Sequence, residues 1–157
     1  MEKLLFSVKN GELDVAGALK ALRILPYEDL GFAKLDHHRD VRTGFPEVVY
    51  GEDKTNEQLC HIADRMAKSS SRVLITRASS DAYMAVKKVV PGAWYKEVSR
   101  TIIIDNDPQH KPESGVLVMA AGTADIPVAE EAVITAELMG NEVEKLWDVG
   151  VAGIHRL

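Results

Sequence analysis

Residues 115–131 read Gly-Val-Leu-Val-Met-Ala-Ala-Gly-Thr-Ala-Asp-Ile-Pro-Val-Ala-Glu-Glu. An apolar run typical of a strand leads directly into Gly122-Thr-Ala-Asp125 and then into a helical pattern. Gly122 allows the backbone to turn tightly after the strand, and Pro127 suits the first turn of a helix. The free N–H groups at the start of such a helix can hold an anion. The stretch therefore predicts a βα unit of an α/β protein, with a candidate anion site in its loop.

The pattern continues into a second loop of the same kind. Its spacing predicts a helix over residues 126–139 and a strand over residues 142–148. Residues 148–157 then read Asp-Val-Gly-Val-Ala-Gly-Ile-His-Arg-Leu, a Gly-containing turn after which a further helix is expected. A βαβ unit in a parallel sheet is right-handed and has its loops at the carboxyl edge. We therefore expect the first βαβ unit of a parallel sheet, and a chain that ends partway through a catalytic domain.

Two polar loops at one sheet edge favour a small-molecule site. An arginine can hold a phosphate through two hydrogen bonds, and a histidine can bind a carboxylate or transfer a proton near neutral pH. The alternative is a simple βα turn, in which Thr123 or Asp125 caps the helix and His155 is a surface histidine at a helix end. On the first interpretation the substrate- or CO2-binding residues are Gly122, Thr123, Asp125, His155 and Arg156.

The upstream part predicts a small α/β domain over residues 1–105, followed by a linker over 106–115 and a partial second domain over 116–157. A helix over residues 2–9 and another between Asp14 and Pro26 form a leading αα-hairpin. Further strands are expected over residues 30–36, 45–50, 72–76 and 98–105, and further helices over residues 55–69 and 80–90. The linker is predicted from two prolines, a glycine and mostly polar residues.

Several predictions concern single side chains in these elements. Thr55 and Gln58 form a capping box at a helix start, and Ser80 or Asp81 caps the next helix. The expected buried residues are Leu59, Ile62, Ala63 and Met66 on one helix, Leu30, Phe32 and Ala33 on a strand, and the stripe Ala129, Ala132, Val133 and Ala136 facing the second sheet.

Composition narrows the function classes. The net charge of −5 over 157 residues argues against nucleic acid as a partner, because there is no basic excess to neutralise phosphates. The longest apolar run, residues 116–121, is far short of the roughly 18 residues of a membrane span. Cys60 is the only cysteine, so a disulfide within the chain is excluded and a reducing cytoplasm is expected. The first residues lack the apolar core and cleavage site of a signal peptide.

Two other features of the sequence are candidate sites. His37-His38-Arg39-Asp40 and Arg42 are polar and charged, but a metal needs three or four ligands and no companions of the right type flank the two histidines. We therefore expect no metal site. His38 and Arg42 are further candidates for ligand contacts, with a solvated loop as the alternative. Cys60 lies beside an apolar helix stripe and is expected to act as a small, half-buried hydrophobe.

These segments resemble the LarB family, the carboxylases of nickel-pincer cofactor biosynthesis. The resemblance lies in Gly122–Ala132 and Asp148–Leu157, and upstream in Tyr27–Arg39 and Arg42–Thr55. The βαβ unit also resembles PurE, the aminoimidazole ribonucleotide carboxylase, whose first loop is Gly-Ser-x-Ser-Asp and whose second contains Ala-His-Arg. The resemblance implies a PurE-like, flavodoxin-like parallel sheet for the second domain.

The resemblance also implies an activity. LarB enzymes carboxylate the pyridinium ring of nicotinic acid adenine dinucleotide and cleave its phosphoanhydride, with CO2 or bicarbonate as co-substrate and no prosthetic group. A family cysteine adds to the ring and makes it nucleophilic. That cysteine is expected beyond Leu157 and Cys60 does not match it, so this chain alone should be inactive. PurE-like proteins form homo-octamers, and a homo-oligomer is expected here.

Three hypotheses follow: the N-terminal part of a LarB-type carboxylase, a non-catalytic module for assembly or ligand capture, and a PurE-type carboxylase. The long N-terminal domain and Thr123-Ala124, where PurE has Ser-x-Ser, argue against the third.

Overall fold

The computed structural model describes residues 2–24, 27–36, 47–106 and 111–156. The chain divides into two compact units, residues 1–44 and residues 45–157. Helices and strands alternate along most of the chain, which confirms the predicted α/β class. No helix in the described ranges is long and apolar enough to cross a membrane.

The first unit begins with the predicted αα-hairpin. Helix α1 (Glu2–Lys9) is followed by Gly11, whose φ of 72° lies in the left-handed region that ends many helices. The Asp14 carboxylate accepts a 2.7 Å hydrogen bond from the N–H of Gly17, so it caps helix α2 (Val15–Ile24), as predicted.

The prediction of a single strand over residues 30–36 is wrong. The chain instead forms a short antiparallel hairpin of β1 (Glu28–Asp29) and β2 (Lys34–Leu35). A turn separates them because Gly31 adopts φ 83° and donates its N–H to the Asp29 carboxylate at 2.8 Å. Phe32 therefore lies in the turn with 47% of its surface exposed, and the buried residue is Leu35.

A four-stranded sheet forms the first part of the second unit. Its strand order is β3-β4-β6-β5, with β3 and β4 parallel and the other two pairs antiparallel. The elements in chain order are β3 (Val48–Tyr50), α3 (Asn56–Ser69), β4 (Arg72–Thr76), α4 (Ser80–Val89), β5 (Trp94–Lys96) and β6 (Thr101–Asp105).

Local sequence signals explain where the two helices that connect these strands, α3 and α4, begin. The Thr55–Gln58 capping box is confirmed, with reciprocal hydrogen bonds of 3.0 and 3.2 Å. The four residues of the predicted α3 stripe are all buried. Helix α4, however, is capped by Ser79, whose hydroxyl accepts from the N–H of Ala82, rather than by Ser80 or Asp81.

The strand predicted over residues 98–105 begins later, at Thr101. A turn precedes it, in which Arg100 adopts φ 54° and donates its N–H to the carbonyl of Glu97. The sequence did not predict the edge strand β5. It has only three residues, and two adjacent aromatic residues, Trp94 and Tyr95, give no alternation of apolar and polar side chains.

The second part of this unit is the predicted βαβ motif. Strands β7 (Glu113–Met119) and β8 (Asn141–Leu146) pair in parallel, and helix α5 (Ile126–Leu138) connects them. A short 3-10 turn, Thr123–Asp125, precedes α5, and a 3-10 segment, Val151–Arg156, follows β8.

Helix α5 packs on both sheets of this unit. It contacts β7 and β8, and its Ile134 and Leu138 form a buried cluster with Leu74 of β4 and Ile103 of β6. Of the predicted stripe, Val133 is fully buried whereas Ala132 is exposed, because the larger side chains face the four-stranded sheet. The boundary predicted at residues 106–115 stays a prediction, since residues 107–110 lie outside the described part of the chain.

Candidate functional site

The two loops after β7 and β8 are joined through their backbones. The N–H of Val149 donates to the carbonyl of Ala120 at 3.1 Å, and the N–H of Gly150 donates to the carbonyl of Ala121 at 2.9 Å. A Cβ atom at position 150 would lie 2.8 Å from the Ala121 oxygen, so only glycine allows this approach. Both loops therefore lie at the same sheet edge, as the parallel topology predicted.

The Asp125 carboxylate shapes the first loop. It accepts a 3.2 Å hydrogen bond from the N–H of Gly122, while the N–H of Asp125 donates to the Gly122 carbonyl at 3.0 Å. The expected cap of α5 by Thr123 or Asp125 is wrong, because neither side chain makes that bond. The Asp125 carboxylate instead bonds back to the backbone of Gly122 within the loop. Thr123 is exposed, and its hydroxyl makes no helix-capping hydrogen bond.

The second loop contains an ion pair that the sequence did not predict. Nη1 of Arg156 donates to Oδ2 of Asp148, and the two side chains are 44% and 50% exposed. Asp148 adopts φ 59°, an uncommon left-handed conformation for a residue other than glycine. An Asp two residues before a glycine, at the end of the predicted strand, is the sequence signal for this turn.

His155 and Arg156 are exposed at the end of the segment Val151–Arg156. This segment consists of 3-10 helical turns interrupted at Gly153, whose φ of −136° and ψ of 39° are not helical. An imidazole, a guanidinium and the Thr123 hydroxyl are suited to bind a carboxylate or a phosphate. Their roles in ligand binding stay predictions.

The structure does not test the upstream histidine and arginine candidates. His37, His38, Arg39, Asp40 and Arg42 lie outside the described residues. Among the residues that are described, no group of three His, Cys, Asp or Glu side chains could hold a metal ion.

Cys60 is half-buried on α3, and burial raises the pKa of its thiol. A raised pKa disfavours the thiolate, which is the reactive form. This environment agrees with the prediction that Cys60 is a packing residue.

Sequence comparison supplies the family. The model described as the LarB/PurE-like N-terminal domain matches residues 27–106. The uncharacterized protein MJ0165 of Methanocaldococcus jannaschii is 35% identical over 164 aligned residues, which cover 100% of this chain and 64% of that protein. The chain therefore spans less than two thirds of that relative's length. Since the family model covers half of the chain, the chain belongs to the family of LarB/PurE-like N-terminal domain proteins.

Proposed function

We propose that this chain is the N-terminal part of a LarB-type carboxylase that acts on the pyridinium ring of nicotinic acid adenine dinucleotide in nickel-pincer cofactor synthesis. The observation that carries the proposal is the backbone junction between the Gly122–Asp125 loop and the Asp148–Arg156 loop, in a chain of this family. The junction holds the Thr123 hydroxyl and the side chains of His155 and Arg156 at one sheet edge, where a nucleotide can bind.

In this proposal the exposed groups bind the substrate. Arg156 holds an anionic group of the dinucleotide and exchanges its contact with Asp148 for that group. His155 and the Thr123 hydroxyl supply further donors, for a carboxylate or for the co-substrate CO2 or bicarbonate. The Asp125 carboxylate keeps the first loop closed and stays out of contact with the ligand's negative charge.

The covalent step belongs to the rest of the family's catalytic domain. The resemblance implies that a cysteine there adds to the pyridinium ring, and the half-buried Cys60 with its raised pKa is unsuited to that step. We propose that the whole protein works without a prosthetic group, in the cytoplasm, as a homo-oligomer.

The experiment compares this chain with a longer protein in which it is joined to the C-terminal part of a LarB carboxylase. Calorimetric titration with nicotinic acid adenine dinucleotide should show binding to both proteins. Only the longer protein should incorporate isotope-labelled bicarbonate into the ring. Carboxylation of aminoimidazole ribonucleotide alone would show a PurE-type enzyme, and no dinucleotide binding to either protein would favour an assembly module.

Variants assign the binding residues. Arg156→Gln should weaken dinucleotide binding about tenfold, because a charge-assisted hydrogen bond is lost. Lys68→Gln is the matched control, since Lys68 pairs with Asp64 on the exposed surface of α3. Weaker binding in His38→Ala or Arg42→Ala would add the upstream cluster to the site, and unchanged binding would remove it.

A further inference from the structure

A cavity lies at the carboxyl ends of the parallel strands β3 and β4, away from the Gly122–Asp125 loop. Its volume is about 150 Å³, and its lining includes Gly51, Asp53 and Lys54 after β3, Arg77 after β4, and Arg100 before β6. The carboxyl edge of neighbouring parallel strands is where α/β sheets bind ligands. None of these residues belongs to the candidate site described above.

Three cationic side chains line this cavity, against the two carboxylates of Glu52 and Asp53. One of these carboxylates is already engaged, since Glu52 accepts a hydrogen bond from the Tyr50 hydroxyl. Among the described residues Lys54 and Arg100 form no ion pair and contact only backbone carbonyls, so both offer charged donors to an anion.

Each of the three cations keeps donors for a ligand. Lys54 Nζ donates to the carbonyl of Tyr50 at 2.7 Å, and Arg100 Nη2 donates to the carbonyl of Arg77 at 3.4 Å. Arg77 Nε pairs with Glu131 at 3.0 Å. An ammonium has three N–H donors and a guanidinium has five, so one contact each leaves most of them available.

The backbone around the cavity is strained and held in place. Asp53, Arg77 and Arg100 have φ values of 65°, 55° and 54°, and they are three of the four non-glycine residues with positive φ in the described part of the chain. Strain of this kind persists only where the surroundings enforce it, and it concentrates at ligand sites. Here the N–H of Gly51 donates to the carbonyl of Thr76, and the N–H of Ala78 donates to the carbonyl of Arg100, both at 2.8 Å.

We propose that this cavity binds a phosphate group, either as inorganic phosphate or at the end of a small phosphorylated molecule. Arg100 and Lys54 bind its oxygens, and Arg77 contributes the donors that its pairing with Glu131 does not use. The volume of about 150 Å³ is sufficient for one phosphate, and the rest of a larger ligand extends into solvent. This site is independent of the carboxylase activity proposed above.

The test is a titration of the 157-residue chain with inorganic phosphate at low salt, followed by two-dimensional NMR of the backbone amides. Saturable shifts should appear at residues 51–56, 77–79 and 100. A parallel titration with ribose 5-phosphate separates the two sources, since clearly tighter binding identifies a phosphorylated molecule and equal binding identifies free phosphate. No saturable shifts at these residues with either compound would overturn the proposal.

Two variants keep the test independent of folding. Arg100→Asn removes the charge but keeps a residue that tolerates the left-handed backbone, and Lys54→Gln removes the second cation without altering its length greatly. Each should weaken phosphate binding about tenfold. Lys68→Gln, the control used above, should bind like the unmodified chain. Equal affinity in all three variants would show that binding is nonspecific and would overturn the proposal.

Discussion

The N–H of Gly150 lies 2.9 Å from the carbonyl oxygen of Ala121 and joins the two loops of the candidate site. A methyl group at position 150 would lie 2.8 Å from that oxygen, which is backbone and cannot rotate away. We expect Gly150→Ala to separate the loops and to lower the free energy of unfolding by about 1–3 kcal/mol. Urea unfolding measures the stability, and calorimetry measures the accompanying loss of the dinucleotide binding proposed above.

Gly92→Ala is the matched control for this substitution. No atom lies within 4 Å of a Cβ atom at position 92, and its backbone φ is not in the left-handed region. It should leave both stability and dinucleotide binding nearly unchanged. If Gly150→Ala behaves like Gly92→Ala, the close approach of the two loops does not exist in solution.

The Asp148–Arg156 pair makes a prediction about ligand competition. Both side chains are about half exposed, so the pair contributes at most about 1 kcal/mol to stability. An anionic ligand that takes Arg156 must first displace Asp148. We therefore expect Asp148→Asn, which tolerates the left-handed φ, to bind the dinucleotide up to about fivefold more tightly. Weaker binding in a calorimetric titration would show instead that Asp148 positions Arg156.

The parts of the fold that the sequence predicted are those with strong local signals. The Thr55–Gln58 box, the buried stripe of α3 and the βαβ motif all appear as expected, because capping and periodicity act within one element. The errors lie at turns. Gly31 and Arg100 adopt positive φ and interrupt predicted strands, and in the case of Arg100 no residue preference signals such a conformation.

The sequence predicted the feature of the candidate site that depends on topology, namely that its two loops lie at one sheet edge. Parallel pairing of β7 and β8 brings the two loops to one edge, and the sequence alone implied that pairing. The Asp148–Arg156 pair and the closure of the first loop by Asp125 depend on side-chain orientation in loops, which periodicity does not encode. The packing of α5 on β4 and β6 also could not be predicted, because it depends on contacts between residues far apart in the chain.

Arg72 is a further test of how α5 is held. Its Nη1 donates to the carbonyl of Leu138 at 2.9 Å and its Nε lies 3.4 Å from the Asp105 carboxylate, with only 14% of the side chain exposed. Arg72→Leu should lower the free energy of unfolding by about 1.5–3 kcal/mol, because the carbonyl at the end of α5 loses a charged donor. The exposed pair Lys68–Asp64 provides the comparison, and Lys68→Gln should cost at most about 0.5 kcal/mol. Equal losses in denaturant titrations would contradict this role.

The cluster of Leu74, Ile103, Ile134 and Leu138 predicts a large stability effect for one residue of α5. Ile134→Ala removes buried methyl groups between the helix and the four-stranded sheet, and it should cost about 2–5 kcal/mol. Val128→Ala on the same helix is the control, because Val128 is 57% exposed and its truncation should change stability by no more than about 0.5 kcal/mol. The stability loss of each variant is measured as a shift of its urea unfolding midpoint, with the dependence of the unfolding free energy on urea unchanged. Similar midpoints for the two variants would mean that α5 does not pack on this sheet.

Cys60 gives a pH-dependent prediction. Burial raises the pKa of its thiol above the ordinary value, so the folded protein holds this proton more tightly than the unfolded chain does. The resulting stability is fully present below the unfolded pKa of about 8.5 and is lost as the pH rises through the folded pKa. Stability should therefore fall less steeply above about pH 9 in Cys60→Ala than in the unmodified protein. Iodoacetamide should also label Cys60 more slowly at pH 8 than it labels a small free thiol, because less thiolate is present. Labelling faster than the free thiol would show an activated cysteine, and Cys60 would then become a candidate nucleophile.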